Sequence, residues 1–242
     1  MTDRKSPAPG GAQYPLELPH DPALGRDDFL IAPSNEAAVA LIDSWPDWPS
    51  PVVLLAGPVG AGKSHLAAIW REQAEGLLIS ARELAHHDGA DLIASGALVI
   101  EDADNGQLDQ TALFHVLNAA RDAHASVLIT ARSWPEAWPV ELPDLASRLR
   151  AATPVELGEP DDDLLRRVLF KLMADRQMVV DATVVDYLAV RMERSLEAAR
   201  RLVSQIDREA LATKHRITRP MAARVLQRML ESDTSLVPGA ND

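Results

Sequence analysis

Apolar and polar positions along this 242-residue chain follow two different rhythms. In the first two thirds, short continuous apolar runs alternate with stretches of helical period. Val52–Ala56, Leu77–Ser80, Ala97–Glu101 and residues 126–130 read as buried strands, with 154–157 as a candidate fifth. Between them, Lys63–Gln73 reads as a helix, and residues 110–123 carry an apolar stripe at 113, 114, 116, 117 and 120. Ahead of the first strand, Pro33-Ser34-Asn35-Glu36 forms a capping signal before the helical run EAAVALI. Strand–helix alternation of this kind predicts a parallel sheet covered on both faces. From Asp161 onward the rhythm is helical only. Residues 161–176, 181–191, 195–213 and 219–230 predict a small all-α domain.

The flanks lack either rhythm. Residues 1–12 are rich in Pro, Gly and Ser and are expected to be disordered, and 13–27 form an extended linker kept out of helix by its prolines. The expected organisation is therefore an α/β domain over 28–160, a helical domain over 161–231 and a polar tail over 232–242.

Composition narrows the function classes. A net charge of −12 argues against coating nucleic acid by bulk electrostatics. No apolar run is long enough for a membrane span, and the start has no apolar signal region, so a cytoplasmic location is expected. The absence of cysteine removes disulfides, thiolate nucleophiles and cysteine-type zinc sites.

The strongest chemical signal is Gly57-Pro58-Val59-Gly60-Ala61-Gly62-Lys63-Ser64, a full G-x-x-x-x-G-K-S between a strand and a helix. Glycines let backbone N–H groups curl around phosphate oxygens, and the helix directs its positive end at them. Lys63 is suited to the β/γ-phosphates and Ser64 to Mg²⁺. Such a loop needs a carboxylate at the end of a neighbouring strand, and Leu98-Val99-Ile100-Glu101-Asp102 supplies two. Asp102 is the leading candidate for metal binding and catalysis and Glu101 the next. The usual order places Asp first.

Further motifs resemble those of the DnaA-type AAA+ ATPases. Residues 28–38, DFLIAPSNEAA, are similar to the F-x-x-x-x-S-N-x-x-A segment that precedes the P-loop in that family. Leu145-Ala146-Ser147-Arg148-Leu149 resembles its arginine-finger motif. Glu193-Arg194-Ser195-Leu196-Glu197-Ala198-Ala199 resembles the V-R-E-L-E-G-A block that holds sensor 2. Residues 130–135, TARSWP, fall where the sensor 1 strand ends, without the usual acidic or amide residue. The resemblance implies an AAA+ P-loop NTPase with a five-stranded parallel sheet and an all-α lid, binding ADP or ATP with Mg²⁺. It adds Ile31, Asn35, His65 and Arg194 to the nucleotide contacts and assigns Arg148 to a neighbouring subunit's γ-phosphate. A DnaA initiator carries a helix-turn-helix domain after the lid; only about 12 residues follow Leu230 here, so sequence-specific DNA binding is not expected. The excess of 10 Lys/Arg over 4 Asp/Glu in 191–228 is read as a solvated lid surface.

Gln13-Tyr14-Pro15-Leu16-Glu17-Leu18-Pro19 is similar to peptides with which bacterial proteins dock on the DNA sliding clamp, with Gln13, Leu16, Leu18 and Pro19 as anchors. Together these features resemble the Hda-type regulators of replication initiation in their alphaproteobacterial form. By that resemblance the partners are the sliding clamp and DnaA, whose ATPase Arg148 would activate in trans, and self-association is left open. The competing readings are a helicase-loader ATPase of similar plan and a free-standing motor ATPase.

Overall fold

The computed structural model describes residues 25–213 and 215–235. Residues 1–24, which include Gln13, Leu16, Leu18 and Pro19, and the tail beyond 235 lie outside the described residues.

The chain enters through a short 3-10 turn, Arg26–Asp28, and forms helix α1, Glu36–Asp43. Strands and helices then alternate: β1 Val52–Ala56, α2 Lys63–Gln73, β2 Leu77–Ser80, the short α3 Gly89–Leu92, β3 Ala97–Glu101, α4 Gln110–Asp122, β4 Ser126–Ala131, α5 Pro143–Ala151 and β5 Thr153–Glu156. The five strands form one sheet in the order β2-β3-β4-β1-β5, and each neighbouring pair is parallel. The fifth strand is thus present, one residue earlier than the apolar run suggests. Helix α5 escapes the sequence reading because it opens on a proline and buries only Leu145 and Leu149.

Alternate strand residues feed two cores. Val53, Leu55, Val99 and Leu128 face α1 and α2, where they pack with Ile42, Leu66 and Trp70. Leu54, Leu98, Ile100 and Ile129 face α4 and α5, packing with Leu113, Leu117, Leu145 and Leu149. Burial on both faces is the reason these strands read as unbroken apolar runs. Trp70 is fully buried and stacks on Trp48 at 4.8 Å, which fixes α2 and the loop that begins it. Helix α4 starts at Asp109, whose Oδ1 accepts from the Ala112 amide at 2.9 Å.

The helical part comprises α6 Asp162–Asp175, α7 Ala182–Ala189, α8 Leu196–Thr213 and α9 Arg219–Ser235. Helix α9 continues past Leu230, where the apolar period ends. These helices enclose their own core of Leu165, Leu169, Val185, Leu188, Leu202, Val203 and Val225 among others. The entry segment joins the two cores: Phe29 packs in the sheet core with α2, whereas Ala32 packs with the helices. No helix among the described residues is long and apolar enough to cross a membrane.

Candidate nucleotide site

The loop from Gly57 to Gly62 leaves the end of β1, a central strand, and leads straight into α2. In a parallel sheet the strand ends on this side form the natural ligand edge. Gly60 (φ +75°) and Gly62 (φ +107°) adopt backbone that disfavours any side chain. Gly60 has a second constraint: a Cβ there would fall 1.9 Å from Ser195 Oγ. The helical domain rests directly on the loop at this point. The Leu196 amide donates to the Gly60 carbonyl at 2.8 Å, and Ser195 Oγ accepts from the Ala198 amide at 3.1 Å to begin α8. Contact between the loop and the helical domain therefore passes through backbone, the buried Ser195 and the Leu196 side chain, whose Cδ1 lies 3.3 Å from where a Cβ on Gly62 would fall.

Lys63 is buried, and its Nζ donates to the carbonyls of Gly57 at 2.6 Å and Pro58 at 2.9 Å. Burial pulls its pKa below the usual lysine value, against the opposing fields of Asp102, Asp104 and Glu101. Ser64 is exposed in the first turn of α2, and Val59 is exposed at the loop tip, whereas Ala61 is buried.

The two carboxylates after β3 occupy different environments. Glu101 is still in the strand, and its Oε1 is buried with no hydrogen-bond partner. Asp102 is exposed and sits in a left-handed turn at φ +56°, with its amide donating to Thr130 Oγ1 at 3.2 Å. A third acid that the motif reading missed, Asp104, ties this turn to the exit of β4. Its Oδ2 accepts from the Arg132 amide, the Ser133 amide and Ser133 Oγ, each at 2.9 Å, while Oδ1 is buried without a partner. Among the described residues no three His, Asp or Glu side chains converge as a metal-binding cluster. That is compatible with Mg²⁺, which commonly takes one or two carboxylates and completes its shell with water and phosphate oxygens.

The remaining candidates divide into those near the loop and those remote from it. His65 is buried behind Ser64; its Nδ1 receives the Arg200 guanidinium of α8 at 3.0 Å, which assigns the ring proton to Nε2, facing the Gly25 carbonyl at 3.3 Å. Asn35 is buried and braces the entry segment, with Oδ1 accepting from the Ala32 amide at 2.9 Å and Nδ2 donating to the Leu30 carbonyl at 3.0 Å. Ile31 is exposed on that segment, its carbonyl held by Arg167 at 2.8 Å. Beside them, Phe29, Leu30, His65, Leu164, Leu196 and Arg200 line part of a cavity of about 680 Å³ between the entry segment, α6 and α8. Arg194 is exposed and ion-paired to Asp162 at 2.9 Å.

Arg148 stands apart from all of these. It hydrogen-bonds Asn118 of α4 and lies over the Phe114 ring at 5.3 Å. With Ser50, Pro51, Val52 and Ala125 it lines a small hollow at the start of β1 and β4, the sheet edge opposite the P-loop. The five residues of β1 separate it from that loop, roughly 16 Å at strand rise.

No protein-family model matches the chain, and no curated protein matches it in sequence. Solved structures do match in fold. Domain III of the replication initiation protein DnaA from Thermotoga maritima superposes with a TM-score of 0.72 at 19% identity, covering 87% of this chain and 98% of that one. A replication initiator DnaA bound to AMPPCP and single-stranded DNA gives 0.67 at 17% identity, over 80% of this chain and 68% of that one. A point mutant of RuvB, the Holliday junction branch migration motor of Thermotoga maritima, gives 0.63 at 16% identity, over 82% of this chain and 70% of that one. Five parallel strands in one sheet, a G-x-x-x-x-G-K-S loop at the ligand edge and helices resting on that loop give this chain the AAA+ fold shared by DnaA and RuvB.

Proposed function

We propose that the chain is a nucleotide-dependent regulator of replication initiation, which binds ADP or ATP at its own P-loop and supplies Arg148 to the active site of DnaA. The observation that carries this reading is the separation between Arg148 and the P-loop. An arginine at the opposite sheet edge cannot serve the nucleotide of its own subunit, so its use in phosphoryl chemistry requires a second protein. Its contacts suit that role. Asn118 and Phe114 orient the guanidinium without neutralising it, since neither is a carboxylate. An arginine supplied in trans typically contributes about 10³–10⁵ to hydrolysis.

In the chain's own site, the amides from Gly57 to Gly62 and the Lys63 ammonium would hold the phosphates. Mg²⁺ would be held by Ser64 and Glu101, whose buried Oε1 has no protein partner; the ion would screen charge on the β- and γ-phosphates. Asp102, outside the strand and exposed, has the freedom to orient water. Contact of Gly60 with Ser195 and Leu196 gives bound phosphate a route to the lid angle. Residues 13–19 would anchor the chain to the sliding clamp and so confine its action to DNA-loaded clamps.

The test is hydrolysis of ATP pre-bound to DnaA, measured with the chain and with or without DNA-loaded clamp. Stimulation that depends on the clamp is expected, with loss of that dependence on deleting residues 13–19 and loss of stimulation in Arg148→Ala. A chain that leaves DnaA hydrolysis unchanged but binds a replicative helicase would instead be a helicase loader.

A further inference from the structure

We propose that the cavity between α6 and α8 is a docking site for the chain's own N-terminal segment, residues 13–24, which holds the clamp-binding peptide on the helical domain until the clamp competes for it. The docking deepens the clamp reading above, on which it rests, by adding regulation of the same peptide.

The cavity combines apolar and cationic walls. Leu164 and Leu196 line it as buried side chains, and Val168 and Leu172 of α6 as partly buried ones. Five cations join them, Lys171, Arg176, Arg200, Arg201 and Arg208, against the two carboxylates of Asp28 and Asp175. Lys171 engages both carboxylates, with its Nζ 2.7 Å from Asp28 Oδ1 and 3.4 Å from Asp175 Oδ2. Arg200 is half-buried and makes no ion pair among the described residues; it donates to the neutral nitrogen of His65. Desolvation holds its pKa below the usual arginine value. An excess of guanidinium beside apolar walls, in a chain of net charge −12, suits an occupant that is acidic and carries large apolar side chains.

The chain supplies such a segment at the right place. Gly25, where the described residues begin, turns its carbonyl to His65 Nε2 at 3.3 Å, and His65 itself lines the cavity. Residues 13–24, QYPLELPHDPAL, lead directly into that point. They carry Leu16, Leu18 and Leu24, the carboxylates of Glu17 and Asp21, and no lysine or arginine. Residues 1–12 carry Arg4 and Lys5 against Asp3 and no leucine, so the match is confined to the stretch nearest the cavity. Reach is sufficient. Ser204 and Arg208 lie about 12 and 18 Å along α8 from Leu196, which meets the phosphate loop, so the outer end of the cavity is clear of that loop. Extended chain from Leu24 back to Leu16 spans up to about 26 Å. Pro15, Pro19 and Pro22 favour that extension and lower the entropy cost of docking.

Docking and clamp binding exclude one another, because Leu16 and Leu18 serve both. A tethered segment meets its cavity at an effective concentration of about millimolar, so the clamp has to displace it.

The chain has no cysteine, so two introduced thiols report contact without background. His20→Cys with Ser204→Cys in the full chain is expected to close an intramolecular disulfide under a mild oxidant. Adding Arg176→Glu and Arg208→Glu should slow closure about fivefold or more. In the otherwise wild-type chain the same two charge reversals should tighten binding to the sliding clamp about threefold or more, a gain that damage to the fold would not produce. Closure at the same rate with and without the reversals overturns the proposal, as does clamp affinity that the reversals leave unchanged. A disulfide that forms mainly between two chains also overturns it and assigns the cavity to the segment of a second copy. Closure as expected in a chain that binds no clamp supports the docking site and overturns the clamp reading instead, so the two failures are distinguishable.

Discussion

The two edges of the sheet handle charge in opposite ways. At the edge where β1, β3 and β4 end, polar groups are buried without partners, glycines occupy left-handed backbone and a lysine is folded onto loop carbonyls. These features cost stability individually and are sustained by the surrounding core. At the edge where the strands begin, Arg148 is braced by an amide and an aromatic ring and sits beside well-packed helix residues. The first edge is built to receive a ligand that satisfies it. The second holds a half-buried arginine against α4. Another arginine sharpens the contrast: Arg194 is exposed and already paired with the Asp162 carboxylate.

The largest effect is expected where the ligand edge meets the lid. Gly60→Val forces a side chain into Ser195 at a residue with φ +75°, and should destabilise the fold by about 4 kcal/mol in chemical denaturation. A loss below about 1 kcal/mol would mean that loop and lid do not touch as described. Next, Lys63→Ala should weaken nucleotide binding about a hundredfold, whereas Arg148→Ala should leave it within about twofold. Equal losses in the two variants would erase the distinction between the edges. A smaller effect is expected at Asp109, the cap of the helix that carries Phe114 and Asn118. Asp109→Ala should cost about 1 kcal/mol in thermal or denaturant unfolding and leave nucleotide affinity unchanged.

The smallest effect concerns pH and belongs to the lid. Hydrogen bonds from the Thr183 hydroxyl and amide hold Asp181 below the usual carboxylate range. A carboxylate lowered on folding contributes stability above its unfolded pKa and loses it as pH falls through the folded value. The Tm difference between wild type and Asp181→Asn should therefore shrink on acidification below about pH 4. A difference that grows on acidification would contradict the capping role.

How much of the molecule is legible in its sequence depends on whether the interaction is local. β1 and β3 read correctly because two-sided burial leaves the continuous apolar runs VVLLA and ALVIE, and the edge strand β2 reads as a shorter apolar run, LLIS, although Leu77 and Leu78 are exposed. The phosphate loop is legible because its spacing is itself the chemistry. Helix α5 is not, since two buried leucines and an initial proline make no clear stripe. Asp104 lies only two residues beyond Asp102, yet its role depends on donors 28 and 29 residues away. Ser195 as the lid's contact with Gly60 likewise depends on two distant segments folding together. Resemblance marks Asn35 as a nucleotide contact, and its visible work is to brace the entry segment through Ala32 and Leu30. The motif marks Arg148, but its separation from the P-loop follows from the direction of α5 and the parallel sheet.

The most direct test of the trans role is a single-turnover measurement on DnaA loaded with labelled ATP, mixed with excess chain and DNA-loaded clamp. Wild type is expected to accelerate release of labelled phosphate, and Arg148→Ala, with nucleotide binding intact, to return the rate to that of DnaA alone. Acceleration by Arg148→Ala equal to that of wild type would contradict a trans-acting Arg148.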